Sequence, residues 1–318
     1  MSSPGARWQH PLAGRDRLRP MASLVLELNV PLDLGLTLGP LCRGPADPTM
    51  RLDRARAVRA TRTKAGPATL ALEVRGTTLL AEAWGPGAEV ALATVAALVG
   101  LDDDPGLLRS AHQVIHELIR RTAGLRIGRT GAVFEALLPA ILEQKVTGRE
   151  AFGALRGLVR AHGEPAPGPF GLWLQPSAAT LARLPYYAFH PLGVERRRAD
   201  TIRYAAARAD RLEEIVDLPI GVARARLRAL PGIGPWTEAE VTMRALGDVD
   251  AVSVGDFHLP NLVAFALACE PRGDDARMLE LLEPYRGQRA RVIRLLEASG
   301  IRAPRYGPRL APRSIAAI

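Results

Sequence analysis

The spacing of apolar residues divides the chain into two parts. In the first part, residues 24–30 and 70–74 place leucine or valine at every second position, an alternation typical of a strand with one face on a core. Residues 56–62 and 78–84 also resemble strands, and Pro/Gly turns separate these segments. A helical pattern follows over 87–101. We therefore predict a small antiparallel sheet with a helix covering one face.

From Pro105 onward the apolar spacing is that of helices. Segments rich in Pro and Gly, such as 163–171, separate the helical patterns, and no repeat of fixed length appears. Helices are predicted over 105–121, 131–146, 148–162, 177–184, 194–209, 219–229, 235–247, 256–268, 274–283 and 286–299. The predicted fold is an α+β N-terminal domain over residues 21–103, followed by a larger all-α domain over residues 104–300.

A turn with two glycines joins two of these helices, and its sequence over 230–236 is LPGIGPW. Glycine permits positive φ and close backbone approach, and Pro235 suits the first position of the second helix. Free backbone N–H groups beside a helix N-terminus bind anions. In a basic protein the obvious anion is a DNA phosphate. The candidate DNA contacts here are Pro231, Gly232, Ile233, Gly234, Trp236 and Thr237.

One acidic residue after the turn is a candidate for chemistry. Asp256 lies twenty residues beyond Trp236 and follows the short apolar run 251–254. It stands at the predicted start of a helix, where aspartate commonly acts only as an N-cap. The preceding turn favours a catalytic role over simple capping.

These features together resemble the helix-hairpin-helix-GPD superfamily of base-excision DNA glycosylases, and within it the 3-methyladenine DNA glycosylase II type. The likeness rests on LPGIGPWTE at 230–238 and VSVGD at 252–256, in this order and spacing. It extends to the segments 134–138, 141–146 and 192–200, and covers roughly residues 21–300. The resemblance implies excision of a damaged base from double-stranded DNA, with residues 21–103 as an accessory domain that holds no catalytic residue.

The resemblance also implies roles for individual residues. Asp256 is expected to be ionised, to stabilise the positive charge that develops on the sugar, and to orient or deprotonate a water. Trp236 stands where lyase-active relatives have a lysine nucleophile, which predicts a monofunctional enzyme and places Trp236 in the base pocket. Glu240 stands where the resembled enzyme has a pocket aromatic. If Glu240 faces the pocket, its charge would attract a cationic alkylated base.

Two further DNA contacts follow from the same likeness. Lys145 occupies the position of the wedge that fills the gap left by a flipped base, where the best-known relatives have an apolar side chain. Gln144, or the aliphatic stem of Lys145, is the alternative wedge. The basic run Arg196, Arg197 and Arg198 is either a solvated helix face or a set of phosphate contacts.

Composition limits the cofactors and the compartment. Cys42 and Cys269 are the two cysteines of the chain, too few for the four-cysteine iron–sulfur cluster of endonuclease-III-type relatives. We therefore expect no cofactor and no metal. His112 and His116 have the spacing of a metal pair on a helix, but an ordinary helix face is favoured because no third ligand is evident. No apolar run reaches the length of a membrane span.

The net charge of +9 is concentrated at the two ends of the chain. Residues 1–20 carry +3 and residues 301–318 carry +4, which leaves +2 for the body. We expect a flexible basic N-terminal arm over 1–20 and a basic Pro/Arg tail over 301–318. Because the body is nearly neutral, DNA binding there depends on where its charges lie.

Alternatives of other classes remain at this point. A helix-hairpin-helix unit is also used as a plain phosphate anchor, so a non-catalytic DNA-binding module is one alternative. A glycosylase for deaminated or oxidised bases is another, although the missing cysteine cluster weakens adenine excision opposite oxidised guanine. The favoured expectation is a monomeric, cytoplasmic and nucleoid-associated glycosylase of the prokaryotic kind that acts on alkylated purines.

Overall fold

Five strands from the first third of the chain form one antiparallel sheet in the computed structural model, which describes residues 20–304. The sheet order is β1-β5-β4-β3-β2. The predicted strands are confirmed, and a short strand, β2, is added. The strands are β1 (Ala22–Glu27), β2 (Met50–Leu52), β3 (Arg56–Thr63), β4 (Gly66–Arg75) and β5 (Thr78–Trp84). Most residues of the two predicted basic arms, 1–19 and 305–318, lie outside the described residues.

One face of the sheet is covered by helices, as the alternation predicts. Leu70, Leu72 and Leu79 from the sheet are buried in the same apolar cluster as Val95 and Leu98. The covering element is not one helix over 87–101, because the chain is interrupted at Thr94, whose hydroxyl donates to the Ala91 carbonyl. Two short helices, Ala88–Ala93 and Val95–Leu98, result.

The rest of the chain is mainly helical. Within residues 20–304 the α-helices are α1 (Leu34–Leu38), α2 (Ala88–Ala93), α3 (Val95–Leu98), α4 (Gln113–Arg121), α5 (Val133–Leu142), α6 (Gly148–His162), α7 (Ala178–Arg183), α8 (Tyr186–Phe189), α9 (Arg196–Ala206), α10 (Ala209–Glu213), α11 (Ile220–Arg228), α12 (Pro235–Val241), α13 (Leu259–Ala268), α14 (Asp275–Leu282) and α15 (Arg289–Ala298). A π-helical segment, Thr242–Leu246, continues α12.

The predicted all-helical part also contains a strand pair. Glu164–Pro165 and Trp173–Leu174 pair as two antiparallel strands, β6 and β7, in the Pro/Gly segment between α6 and α7. The Trp173 amide donates to the Pro48 carbonyl just before β2, over 2.8 Å. The strand pair therefore links the helices to the sheet, and this part of the chain is not purely helical.

Two apolar cores organise the helices. The first core is built by α5 to α12 and includes Leu137, Ile202 and Ile233. The second core joins α4 to α13, α14 and α15, with Ile115 packed in the same cluster as Val263. The turn between α11 and α12 belongs to the first core and the start of α13 to the second, so the candidate site lies where the two cores meet.

Candidate active site

The turn between α11 and α12 depends on one of its two glycines. Gly232 has φ +84°, and a Cβ at this position would lie 2.3 Å from the Thr201 hydroxyl oxygen. Gly234 has φ −99° and ψ −177°, and a Cβ there would meet nothing within 4 Å. Of the two glycines, only Gly232 needs a positive φ and a close approach of its backbone to Thr201. At Gly234 the backbone itself is accessible from outside.

The turn presents free backbone donors. Pro231 and Gly232 are exposed, whereas the Ile233 side chain is buried and anchors the turn in the first core. Neither the Gly232 N–H nor the Gly234 N–H donates to an acceptor within residues 20–304. The first N–H groups of α12, which begins at Pro235, also have no intrahelical acceptor. This turn is therefore suited to bind an anion, as its sequence predicts.

Asp256 bridges this hairpin and α13. Its Oδ2 accepts a hydrogen bond from Trp236 Nε1 over 3.0 Å. Its Oδ1 accepts from the backbone N–H groups of His258 and Leu259, over 2.7 and 2.8 Å. The helix begins at Leu259, not at residue 256. Asp256 lies two residues before the N-cap His258 and caps the helix through these two hydrogen bonds. Three N–H donors therefore converge on one half-buried carboxylate and fix its orientation.

The turn after α5 contacts the hairpin. The helix ends at Leu142, not at 146, and Lys145 has φ +57°, a conformation that helix residues do not adopt. Gln144 Nε2 donates to the Gly232 carbonyl over 3.0 Å and to Thr237 Oγ1 over 2.8 Å. Lys145 is exposed beside this contact. The Thr237 side chain is 2% exposed, so it supports the hairpin from beneath and does not reach a phosphate.

The three consecutive arginines of α9 have different surroundings. Arg196 is exposed, lies over the Tyr186 ring at 5.7 Å and pairs with Asp200 at 3.7 Å. Arg197 is exposed. Arg198 is 4% exposed and donates to the carbonyls of Leu142 and Gly193, over 2.7 and 3.1 Å.

The prediction that Arg198 contacts a phosphate is therefore wrong. Its guanidinium is inside the protein, where it binds the last carbonyl of α5 and holds the turn that carries Gln144 and Lys145. Burial lowers the pKa of Arg198 below its ordinary value. Arg196 and Arg197 remain candidates for phosphate contacts.

The two neighbouring arginines provide a matched pair of variants. Arg197→Ala is expected to weaken DNA binding and to reduce the slope of log affinity against log salt by about 0.9, the loss of one phosphate contact, with unfolding unchanged. Arg198→Ala is expected to lower the free energy of unfolding by about 1–3 kcal/mol, because buried carbonyls lose their donors. Fluorescence anisotropy at several salt concentrations and urea unfolding measure the two effects. Equal salt slopes for wild type and Arg197→Ala would remove this arginine from the interface.

Glu240 belongs to a charge pair that the hairpin motif does not indicate. Its Oε2 accepts from Arg244 Nη1 over 2.5 Å, and its Oε1 accepts from the Ser253 hydroxyl over 2.5 Å. Burial would raise the pKa of Glu240, but Arg244 and the Ser253 hydroxyl together hold it below the ordinary value. The i,i+4 spacing of Glu240 and Arg244 is visible in the sequence. The contact with Ser253, thirteen residues away, is not.

The histidine pair of the first predicted helix is not a metal site. His112 is the N-cap of α4, and its Nδ1 lies 2.6 Å from the Tyr285 hydroxyl, while His116 is exposed. No group of three or more His, Cys, Asp or Glu side chains within residues 20–304 is arranged to hold a metal ion. In the same part of the chain no helix is long and apolar enough to cross a membrane.

Sequence comparison relates the chain to DNA repair proteins. No protein-family model matches it. It is 33% identical over 170 residues, 51% of its length, to a Mycobacterium tuberculosis protein named as the bifunctional transcriptional activator/DNA repair enzyme AlkA. It is 29% identical over 161 residues, 48% of its length, to a Bacillus subtilis protein named as the DNA-3-methyladenine glycosylase YfjP. These matches span 34% and 55% of the two relatives.

Solved glycosylase structures share the fold. The 3-methyladenine DNA-glycosylase from Archaeoglobus fulgidus superposes with a TM-score of 0.74 at 19% identity, over 87% of this chain and 98% of that protein. The Clostridium acetobutylicum 8-oxoguanine glycosylase/lyase, solved with double-stranded DNA, superposes with a TM-score of 0.69 at 15% identity, over 90% and 99%. The resemblance to helix-hairpin-helix glycosylases is thus confirmed. Because the two structures have different named substrates, the fold alone does not select one.

Proposed function

We propose that this chain is a base-excision DNA glycosylase that hydrolyses the N-glycosidic bond of alkylated purines of the 3-methyladenine type. One observation carries the proposal. The Asp256 carboxylate lies 3.0 Å from the indole nitrogen of Trp236, so an anionic group is held beside the hairpin that would bind the DNA backbone. The name of the Bacillus relative, a DNA-3-methyladenine glycosylase, supports the same activity, and that of the mycobacterial relative supports a role in DNA repair.

DNA binding is assigned to the hairpin and the turn after α5. The free backbone N–H groups of Gly232, Gly234 and Trp236 would hold one phosphate of the damaged strand. The target base must leave the duplex to be reached. Lys145 or Gln144 would fill the gap that the flipped base leaves. Their turn is hydrogen-bonded to the hairpin, which supports this role. Arg197 is the proposed further phosphate contact, with Arg196 beside it.

The chemical step is assigned to Asp256. As the bond between C1′ and the base nitrogen breaks, its electron pair moves to the base, and positive charge develops on the sugar. The Asp256 carboxylate stabilises this charge, orients a water towards C1′ and accepts its proton. An alkylated purine is cationic and leaves as a neutral base, so no separate acid is required. Trp236 is the proposed residue of the base pocket. Glu240, the other candidate, has both carboxylate oxygens bound, one by Arg244 and one by Ser253, and is not assigned to the pocket.

The organisation of the protein is part of the proposal. The sheet and α2–α3 share one apolar cluster, and the later helices form two others, which supports an accessory domain over 21–103 and a glycosylase domain over 104–300. The proposed partner is double-stranded DNA with damaged bases, bound by a monomer in the nucleoid-containing cytoplasm. With two cysteines in the sequence, no iron–sulfur cluster is assigned.

A base-release screen tests the proposal. Duplexes that contain methylated, deaminated or oxidised bases are incubated with excess protein, and the released bases are identified by mass spectrometry. Methylated purines are expected to be released fastest. Release of only deaminated or oxidised bases would reassign the substrate. Tight binding without release from any duplex would support the non-catalytic module.

The absence of lyase activity is a separate prediction. Strand cleavage by these enzymes needs an amine that forms a Schiff base with C1′, and Trp236 stands at the position of that amine. Arginine remains protonated and is no nucleophile, and the chain contains two lysines, Lys64 and Lys145. We expect an abasic strand that is cut only after alkali, and no covalent complex after borohydride. A trapped complex that disappears in Lys145→Ala would make Lys145 a nucleophile.

A further inference from the structure

The turn that carries Asp256 is fixed at several points. The Asp256 N–H donates to the Ser253 carbonyl over 3.2 Å, which closes a four-residue turn. In the middle of this turn the Gly255 N–H donates to the Asp275 carboxylate over 3.0 Å. At its start the Ser253 hydroxyl donates to Glu240 Oε1 over 2.5 Å. The position of the catalytic carboxylate therefore depends on groups outside the turn.

Glu240 is itself firmly held. Arg244 Nη1 binds both the Glu240 carboxylate and the Glu240 carbonyl, over 2.5 and 2.9 Å. Arg244 Nε donates to the Pro40 carbonyl over 2.9 Å. The Glu240 side chain is 15% exposed and the Arg244 side chain is 11% exposed. The carboxylate that accepts from the Ser253 hydroxyl is thus fixed to its own helix and, through Arg244, to the segment between β1 and β2.

We propose that Glu240 is a positioning residue for Asp256, and that it acts through Ser253. Both oxygens of Glu240 are occupied, one by Arg244 and the other by Ser253, so its charge is neutralised within the protein. The carboxylate serves as a rigid acceptor that sets the start of the Asp256 turn. The inference rests on the proposed glycosylase activity, and it assigns Glu240 a role other than attraction of a cationic base.

The hydrogen bond from Ser253 to Glu240 fixes the geometry of the turn that carries Asp256. A hydrogen bond from a hydroxyl to a carboxylate is short and strong because the acceptor is charged. Without it, the Ser253 end of the turn keeps its backbone contacts and the packing of Val252 and Val254 against the second core, but loses its polar side-chain anchor, and Asp256 can shift relative to the sugar. A displacement of about 1 Å at a reacting group lowers a rate by about 10²-fold. The expected effect therefore lies in the chemical step and not in DNA binding.

Ser253→Ala is the primary test. We expect the single-turnover rate of base release at saturating protein to fall by about 10- to 100-fold. The DNA dissociation constant is expected to remain near wild type, and the unfolding midpoint is expected to fall modestly because Glu240 Oε1 loses one donor. Ser253→Thr, which keeps the hydroxyl, should restore most of the rate. The control is Ser177→Ala at the N-terminus of α7. It also removes a serine hydroxyl, one that accepts the Thr180 N–H, and should not change the rate.

Two substrates of different charge distinguish the positioning role of Glu240 from electrostatic attraction of a cationic base. Glu240→Gln with Arg244→Met removes both charges and keeps an oxygen acceptor for Ser253. If Glu240 positions the turn, this double variant releases cationic 7-methylguanine and neutral hypoxanthine in the wild-type ratio. A selective loss on the cationic base would overturn the inference in favour of charge attraction. If the double variant does not fold, the ratio is measured with Ser253→Ala, which should slow both substrates equally.

The inference and the proposed function fail in different ways. If the wild-type protein releases no base from any duplex, the glycosylase proposal is wrong whatever the variants do. If wild type is active and Ser253→Ala releases base at the wild-type rate, the glycosylase stands and the positioning role is wrong. An equal fall in the rate of base release by Ser253→Ala and Ser253→Thr would also overturn the positioning role, because the loss would then not depend on the hydroxyl.

Discussion

Asp256→Asn is expected to lower the single-turnover rate of base release by at least about 10²-fold while DNA affinity stays near wild type. A neutral amide cannot offset the positive charge at the sugar. Its oxygen can still accept the His258 and Leu259 N–H groups, so the start of α13 should remain. Its nitrogen would face the Trp236 indole N–H, one donor opposite another. We expect this to cost about 1 kcal/mol of unfolding free energy.

A second aspartate is the control for the capping role of Asp256. Asp274 caps α14 by accepting the Arg277 N–H over 2.9 Å. Asp274→Asn should retain the wild-type rate of base release. If Asp256→Asn also released base at nearly the wild-type rate, Asp256 would be a helix cap and the assigned catalytic role would be wrong. Urea unfolding of both variants separates a loss of stability from a loss of chemistry.

Gly232→Ala is expected to disrupt the hairpin, and Gly234→Ala is its matched control. Alanine at position 232 would have to adopt φ +84°, a strain of about 1–3 kcal/mol, and its Cβ would meet the Thr201 hydroxyl. Alanine at position 234 needs no unusual φ and has open space, so its unfolding free energy should change by less than about 0.5 kcal/mol. Urea unfolding is the measurement. Equal losses at the two positions would contradict this account of the turn.

DNA affinity adds a second comparison for the same pair. Gly232→Ala should bind DNA weakly because the free N–H groups of the turn are displaced. Gly234→Ala should bind weakly only if a phosphate approaches the backbone closely at this position, since the added methyl group would then lie between them. A Gly234→Ala variant with normal stability and weak binding would place the phosphate at the hairpin. Normal binding by both variants would remove the hairpin from the DNA interface.

The sequence predicts the regular parts of the fold better than their ends. Strands β1 and β4 lie at the predicted segments because their alternating apolar residues face one core. Strand β3 also lies where it is predicted, although it is buried on both faces. Strand β2 has three residues, too few to show a period. The apolar spacing of α5 continues past Leu142, but the chain leaves the helix because Gln144 binds the hairpin and Lys145 adopts a positive φ. Contacts between distant residues therefore decide where this helix ends.

The candidate site was predictable where a motif has a local physical reason. The hairpin and Asp256 are recognisable because glycine, proline and an aspartate at fixed spacing have definite roles. Three adjacent arginines look alike in sequence, and only the helical rotation of about 100° per residue turns Arg198 inward. The contact between Glu240 and Ser253 joins two separate segments and has no local signal. Tertiary packing determines both the burial of Arg198 and the contact between Glu240 and Ser253.

The most direct test of the central claim measures free base and strand integrity together. A duplex with a single 7-methylguanine is incubated with excess wild-type protein or with Asp256→Asn. The glycosylase account predicts stoichiometric release of the free base by wild type, a strand that stays intact until alkali is added, and almost no release by the variant. Binding of the duplex by both proteins with no base released by either would contradict it.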